Sequence, residues 1–439
     1  MKHTIYALST AFVSSAIAIV RVSGREAFNS LKIITKKDKF TPQKAHHCNI
    51  YDKNGDLLDN ALVLYFEEGK SYTGETLVEY HIHGSLAVIK DLLSTLSQMA
   101  DHRMAEPGEF TRRALENGKL DLIQAEGIAD LIASQTSNQR KQSLRELQGE
   151  VGSKYIQWGE KLKEIVALLE ATIDFSDEDI PEETYSIVNN NISLLITEME
   201  KEIINGKKIK KLKDGIVVAI LGSPNVGKSS LINYLSNRDV AIVSNIAGTT
   251  RDVIEVFLDI GGFPVVIADT AGIRDTTDEI EKEGVIRAIK KSQNSDIKII
   301  MLDATNFEDS YNNIKDFIDE DTFLLINKID VNPNVRKINN AYLVSVAEKI
   351  GLDKFENDLI KKLSEITATY ENPVVLQERH NEILQNCLSE IKLSLDNNHD
   401  IIISAFHLRN ALNNIGKILG KTDIEDILDI IFGKFCIGK

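Results

Sequence analysis

Apolar and polar positions alternate in different rhythms along the chain, and the changes of rhythm divide it. From residue 1 to about 118 the pattern is mixed. AIAIVRVSG, ALVLYFE and TLVEYHIHG are rich in β-branched and aromatic residues and read as strands, whereas SLAVIKDLLSTLSQM repeats its apolar positions with helical period. Asn54-Gly55 and Gly74 supply turn chemistry, so an α+β domain is expected over 1–118. From Lys119 helical periodicity takes over, and LIQAEGIADLIASQTSNQRKQSLRELQGEV and YIQWGEKLKEIVALLEATI each read as long and amphipathic. DFSDEDIPEE interrupts them as a solvated acidic loop. IINGKKIKKLKDG, with five lysines, reads as a solvated hinge, contact with tRNA or phosphate being the lesser reading. Residues 214–370 alternate strand and helix in the manner of a doubly wound α/β fold. After Asn372-Pro373 the helical pattern returns in VVLQERHNEILQNCLSEIKLSL, AFHLRNALNNIGKIL and DIEDILDIIF. The simplest packing joins 119–213 with 371–439 in one helical domain that receives the α/β domain as an insertion.

The first residues, MKH followed by IYALSTAFVSSAIAIV, have the outline of a short signal peptide ending near Ala16-Ile17-Ala18. Ser9, Thr10, Ser14 and Ser15 break the run into two strand-sized pieces, and the strand reading is preferred. No stretch is long and apolar enough to span a bilayer. The 439 residues, 43% hydrophobic and 27% charged, suit a soluble protein of two to four domains. A net charge of −15 argues against a general nucleic-acid coat but leaves room for local basic patches. Cys48, Cys387 and Cys436 lie far apart without metal-ligand spacing and read as reduced thiols of a cytoplasmic protein. His81 and His83 share one face of a strand. With no third ligand in view, a structural or binding role is preferred to a metal site.

The sharpest chemistry lies at Gly222 to Ser230, GSPNVGKSS, directly after the buried-strand pattern IVVAIL and before the helical LINYLS. This is the G-x-x-x-x-G-K-[ST] phosphate loop in its strand–loop–helix setting. Backbone N–H groups turn inward around phosphate oxygens, so Asn225, Val226, Gly227, Lys228, Ser229 and Ser230 are assigned to nucleotide contact. Lys228 brings a point charge to the β/γ-phosphates, and Ser229 a hydroxyl to Mg²⁺. In SNIAGTTRD, Ser244, Asn245, Ile246, Ala247, Gly248, Thr249 and Thr250 form a candidate switch whose threonine, Thr250, closes over Mg²⁺. Asp269, Thr270, Ala271 and Gly272 give the D-x-x-G element, a carboxylate near the metal and an N–H for the γ-phosphate. Asn327, Lys328 and Asp330 form N-K-x-D after an apolar run. A carboxylate there accepts from guanine N1–H and its 2-amino group, a donor pair adenine lacks. Ser345, Val346 and Ala347 occupy the place of the last guanine-contacting loop. Four elements in order point to a GTPase domain.

Taken together, IVRVSG, SYTGETLVEYHIHG, AEPGEFTRRALENGKLDLIQAEGIADLI, DFSDEDI, GSPNVGKSSLIN, AIVSNIAGTTRD, DTAGIRDTTDEIEKEG and the closing FCIGK resemble the MnmE (TrmE) family of tRNA-modifying GTPases over essentially the whole chain. The resemblance implies an α/β P-loop GTPase domain inserted in an α-helical domain, preceded by an α+β N-terminal domain that dimerises and binds folate. It further implies a homodimer, an FAD-binding partner of the MnmG type in a heterotetramer, and a 5-formyltetrahydrofolate-like one-carbon donor. The product is a carboxymethylaminomethyl or aminomethyl group at C5 of the tRNA wobble uridine. Arg21, Glu79, Lys119 and Lys439 match the family's folate-pocket positions, where cations suit a glutamate tail or pterin ring and a carboxylate suits pterin N–H donors. Cys436 matches the family's closing cysteine. The chain departs from the family at STAFVSSAIAI, which replaces a glycine-rich TPPGRGGVGI; Val13 to Ala16 stand where small, flexible residues are usual.

After D-x-x-G stands Ile273, which cannot orient an attacking water. By the resemblance that role moves to Glu281, which on its own reads as a surface helix carboxylate. No arginine finger is evident. Asn225 resembles the K⁺-ligating residue of potassium-activated GTPases, with Ser244, Ile246 and Thr249 completing the site. The alternative, a regulatory or ribosome-assembly GTPase, is weakened by the lack of a KH signature, a second GTPase domain or a basic tail.

Overall fold

In a computed structural model the structure describes residues 3–174, 182–238, 256–268, 295–312, 318–336, 338–367, 374–375, 377–397, 400–421, 428, 431–433, 435 and 437–438. The chain divides into two compact units, one of residues 1–129, 145–160 and 412–439, the other of residues 130–144 and 161–411.

The first unit is built on a six-stranded sheet. Its strands are β1 (Thr4–Leu8), β2 (Ser15–Ser23), β3 (Ala45–Tyr51), β4 (Leu57–Phe66), β5 (Leu77–Gly84) and β6 (His102–Met104), in the order β3-β4-β5-β2-β1-β6. Only β1 and β6 run parallel; the other neighbours are antiparallel. The two apolar pieces at the start of the sequence are β1 and β2, paired from Ile5 opposite Ser23 to Leu8 opposite Val20. On β2, Ala18, Val20 and Val22 are fully buried, so the two-residue period turns Ile19 and Arg21 to the other face. On β5, Val78, Tyr80 and Ile82 are buried in the same way. The covering helices are α1 (Ala27–Thr35), which places Leu31 and Ile34 in the core, and α2 (Leu86–Ser97), which adds Ile89, Leu92 and Leu96. Each such fully buried aliphatic side chain contributes about 1.5–3 kcal/mol. Strand β3 was not evident in the sequence because Cys48 and Ile50 alone of its residues are buried.

α3 (Glu109–Glu116) carries a buried charge network at the sheet margin. The Arg113 guanidinium donates to Glu75 Oε2 and Glu109 Oε1, both at 2.9 Å, and to the His3 carbonyl at 2.8 Å. Arg103 holds Glu109 by two bonds of 2.6 and 2.8 Å. Burial alone would raise the Glu109 carboxyl, but these hydrogen bonds outweigh it and hold the pKa below the usual range.

The run 122–151, expected as one long helix, is broken into α4 (Leu122–Ala133), α5 (Ser137–Leu147) and the start of α6 (Glu150–Asp174). The cause is local. The Gln139 side-chain oxygen accepts from the backbone N–H of Gln135 and Thr136, which caps a new helix instead of extending the old one. The expected hinge at 203–215 is corrected as well: all but its last residue lie in the final turns of α7 (Glu182–Asp214). Three of its five lysines are held by carboxylates of the second unit. Lys210 pairs with Glu378, Lys211 with Asp296, and Lys213 with Asp130 at 2.7 Å. Helix 378–396 packs against α7, where Lys392 meets Glu200 at 2.7 Å. Most of the acidic stretch DFSDEDIPEE lies outside the described residues.

The second unit holds the α/β sheet: β7 (Ile216–Gly222), β8 (Val256–Ile260), β9 (Phe263–Ala268), β10 (Ile297–Asp303), β11 (Thr322–Asn327) and β12 (Ala341–Leu343), ordered β12-β11-β10-β7-β9-β8. All neighbours are parallel except the β8–β9 hairpin. Continuous burial of Ile299 to Asp303 on β10 is what a strand covered on both faces requires. In such sheets ligands sit beyond the carboxyl ends of the strands, where β7, β10 and β11 release their loops.

Candidate nucleotide-binding site

β7 ends at Gly222, and α8 (Lys228–Arg238) begins six residues later. Two glycines make the turn between them. Gly222 has φ +151°, and a Cβ there would stand 2.5 Å from the Met301 carbonyl of β10. Gly227 has φ +107°, and a Cβ there would meet the Asn327 amide nitrogen at 2.5 Å. Between them Asn225 is exposed in a left-handed conformation at φ 59°, and Val226 is buried as the anchor of the loop. Lys228 folds back over the loop, its ammonium donating to the carbonyls of Gly222 at 2.8 Å and Ser223 at 2.9 Å. Burial lowers its pKa, and no carboxylate pairs with it among the described residues. A cation desolvated in this way is relieved by an arriving anion. Ser229 is half-buried in the first turn of α8 and Ser230 is exposed.

Asn327 joins this cradle to the 345–347 loop. Its amide nitrogen donates to the Val226 carbonyl at 2.7 Å, and its amide oxygen accepts from the Val346 N–H at 3.0 Å, both bonds buried. One side chain at the end of β11 therefore fixes the phosphate loop and the 345–347 loop together. Lys328, at φ 67°, pairs with Asp303 at 2.6 Å. Burial would raise the Asp303 carboxyl, but hydrogen bonds from Lys328 and Thr305 prevail and hold it below its ordinary value. Ser345 is fully buried and accepts from the Glu348 N–H at 3.2 Å; Ala347 and Asp330 are exposed. The sequence reading missed Asp303, although its place at the end of an apolar strand, one strand before N-K-x-D, is a usable signal. Ser244 to Thr250, Asp269 to Gly272 and Glu281 lie outside the described residues, so the Mg²⁺ partner Thr250 and the candidate K⁺ ligands other than Asn225 do too.

The folate candidates lie in the first unit. Arg21 on β2 stands opposite Glu79 on β5, and its Nε donates to Glu79 Oε1 at 2.7 Å. The guanidinium also lies 5.8 Å from the centre of the Tyr72 ring, a contact the sequence reading did not anticipate. Its terminal nitrogens make no other hydrogen bond among the described residues. Lys119 reaches the loop that carries Tyr72, donating to the Gly69 carbonyl at 2.5 Å. Lys439 and Cys436 are outside the described residues. Their neighbours are anchored: Ile437 bridges to Pro107, and the Gly438 carbonyl accepts from Ser9 Oγ at 3.0 Å. His83 is held by Asp59 at 2.7 Å and His81 lies 3.4 Å from Glu79, and no cluster of metal-ligating side chains occurs among the described residues.

Comparison with known proteins bears on both units. The family described as GTP-binding protein TrmE N-terminus matches residues 4–119, and that described as MnmE helical domain matches residues 122–436. Proteins named tRNA modification GTPase MnmE from Rickettsia prowazekii and Rickettsia bellii are each 43% identical over 446 aligned residues, covering 100% of this chain and of the relative. The Rickettsia typhi protein of that name is 42% identical over the same full extent. Likeness of this degree along the entire length means that the chain belongs to the MnmE family of tRNA modification GTPases.

Proposed function

We propose that this protein hydrolyses GTP and, with an FAD-binding MnmG-type partner, installs a carboxymethylaminomethyl or aminomethyl group at C5 of the tRNA wobble uridine in the cytoplasm. The observation that carries the GTP reading is the pair of hydrogen bonds that Asn327 makes, donating to the Val226 carbonyl and accepting from the Val346 N–H, which couples phosphate contact to guanine contact. The proposed architecture is a nucleotide domain, 214–370, inserted between helical segments 119–213 and 371–439, after a dimerising domain over 1–118. Helix 378–396 lying along α7 supports the pairing of the two helical segments. Nucleoside mass spectrometry of tRNA from depleted cells is the test. The C5 modification should vanish and return with wild type but not with Lys228→Ala. An unchanged wobble nucleoside would move the ribosome-assembly reading to the front.

Phosphoryl transfer needs positioning and neutralisation of developing charge. Lys228 and the N–H groups opening α8 hold the phosphates, Ser229 with Thr250 would hold Mg²⁺, and Glu281 would orient the water that Ile273 cannot. Bound K⁺ would supply the positive charge of a missing arginine. Asn225, exposed in the loop, is suited to that role, together with Ser244, Ile246 and Thr249. In one turnover series, Asn225→Ala should lose any preference for K⁺ over Na⁺, and Glu281→Ala should bind GTP yet turn it over at least about 10²-fold more slowly. An unchanged K⁺ response would reassign the cation site, and normal turnover the base.

For the one-carbon folate, Arg21, Glu79, Lys119 and Lys439 are the proposed contacts, with Tyr72 as a platform beside Arg21. A guanidinium held by one carboxylate through Nε alone keeps a fork for a ligand carboxylate or pterin oxygen. Calorimetric titration with 5-formyltetrahydrofolate should show binding that Arg21→Ala weakens at least about tenfold. Equal affinity would exclude this pocket.

A further inference from the structure

The chain has two lysine-rich runs, and tertiary structure separates them. Lys210, Lys211 and Lys213 of α7 are each neutralised by a carboxylate. Residues 32–47 hold five lysines and a single aspartate, a net of four positive charges in a chain of net −15. Among the described residues none of these five, nor Lys53, forms an ion pair.

Two of these cations tie the segment after α1 to its neighbours. Lys36 closes α1, donates to the Gly55 carbonyl at 3.2 Å and lies 3.8 Å from the centre of the Tyr51 ring. Lys37 donates to the His47 carbonyl at 3.3 Å. The segment after α1 is thereby held against β3 and the 52–56 turn, and β3 is an edge strand. Lys36, Lys37, Lys39, Lys44, His47 and Lys53 are all exposed. The C-terminal dipole of α1 accounts for a cation at Lys36 or Lys37, but not for Lys39, Lys44 or Lys53. Across residues 32–56 six lysines stand against three aspartates, Asp38, Asp52 and Asp56, and the net of three positive charges on an acidic protein is what a polyanion relieves.

We propose that this edge of the first unit, centred on Lys37, Lys39 and Lys44, is a docking surface for the sugar–phosphate backbone of tRNA. The proposal rests on the tRNA reading above and gives it a location. Contacts of this kind position an RNA without reading its sequence, and each carries a salt dependence.

The test uses the full chain and a tRNA with uridine at the wobble position, its binding followed by fluorescence anisotropy across a salt series. Lys37→Glu/Lys39→Glu/Lys44→Glu should weaken binding at least about tenfold near 0.1 M salt and flatten the slope of log K against log salt by about two to three. The milder Lys→Gln set at the same positions should fall between it and wild type. GTP turnover without tRNA should not change in either set. Lys141→Glu/Lys201→Glu/Lys361→Glu, equal in charge change but on exposed lysines elsewhere, should retain the wild-type slope. Equal losses in both Glu sets would reduce the effect to net charge and overturn the surface, as would wild-type affinity in the first. Failure of wild type itself to bind tRNA would instead overturn the tRNA reading.

Discussion

Lys228→Ala is expected to cut GTP turnover at least about 10²–10³-fold while leaving the protein folded. Among the described residues the ammonium is bonded only to the Gly222 and Ser223 carbonyls, and burial lowers its pKa. It therefore contributes little to the fold and waits for phosphate. The pH dependence follows from linkage. The unfolded chain holds the proton more tightly, so the cost of the buried cation is present below the folded-state pKa. That cost fades as pH rises through the folded value toward the ordinary 10.5. At neutral pH the variant should melt at or above the wild-type temperature without nucleotide, and the difference should close at alkaline pH. GTP should raise the Tm of wild type and scarcely that of the variant. A variant that melts several degrees below wild type in the absence of nucleotide would mean that Lys228 supports the fold.

Asn327→Ala should do the reverse, damaging stability and nucleotide affinity together. It strands the Val226 carbonyl and the Val346 N–H, at about 1–3 kcal/mol for each buried group. Urea unfolding should show a loss of about 2–4 kcal/mol, and the affinity for GTP should fall with it because the phosphate loop and the 345–347 loop are no longer held by one side chain. Asn327→Asp keeps an acceptor for Val346 but sets a carboxylate against the Val226 carbonyl, so it should be no better than alanine. Full GTP affinity in Asn327→Ala would show that the loops hold their positions separately.

Local chemistry was legible in the amino-acid sequence wherever spacing alone defines it. The strand, glycine turn and helix from Ile216 to Arg238 follow from an apolar run, two positive-φ glycines and a helix start. N-K-x-D after β11 was legible for the same reason, as was the division of the first residues into β1 and β2. Family membership was legible too, because it is carried by stretches distributed over the whole chain.

Other features needed partners distant in sequence. The break before α5 depends on competition between a cap and periodicity, and a polar edge strand such as β3 has too few buried positions to announce itself. Asn327 could be assigned to guanine contact from its motif. Its bond to Val226, 101 residues away, exists only once β7 and β11 flank β10. The two lysine runs make the same point. Composition rates them alike, but charge is a property of surroundings: carboxylates from distant segments neutralise Lys210, Lys211 and Lys213 of α7, while the lysines of 32–47 form no ion pair among the described residues. Spacing along the chain determined which groups are present and in what local geometry. Only the tertiary structure decided which of them remain unsatisfied, because a buried or paired charge is spent on the fold and an unpaired one is left for a ligand.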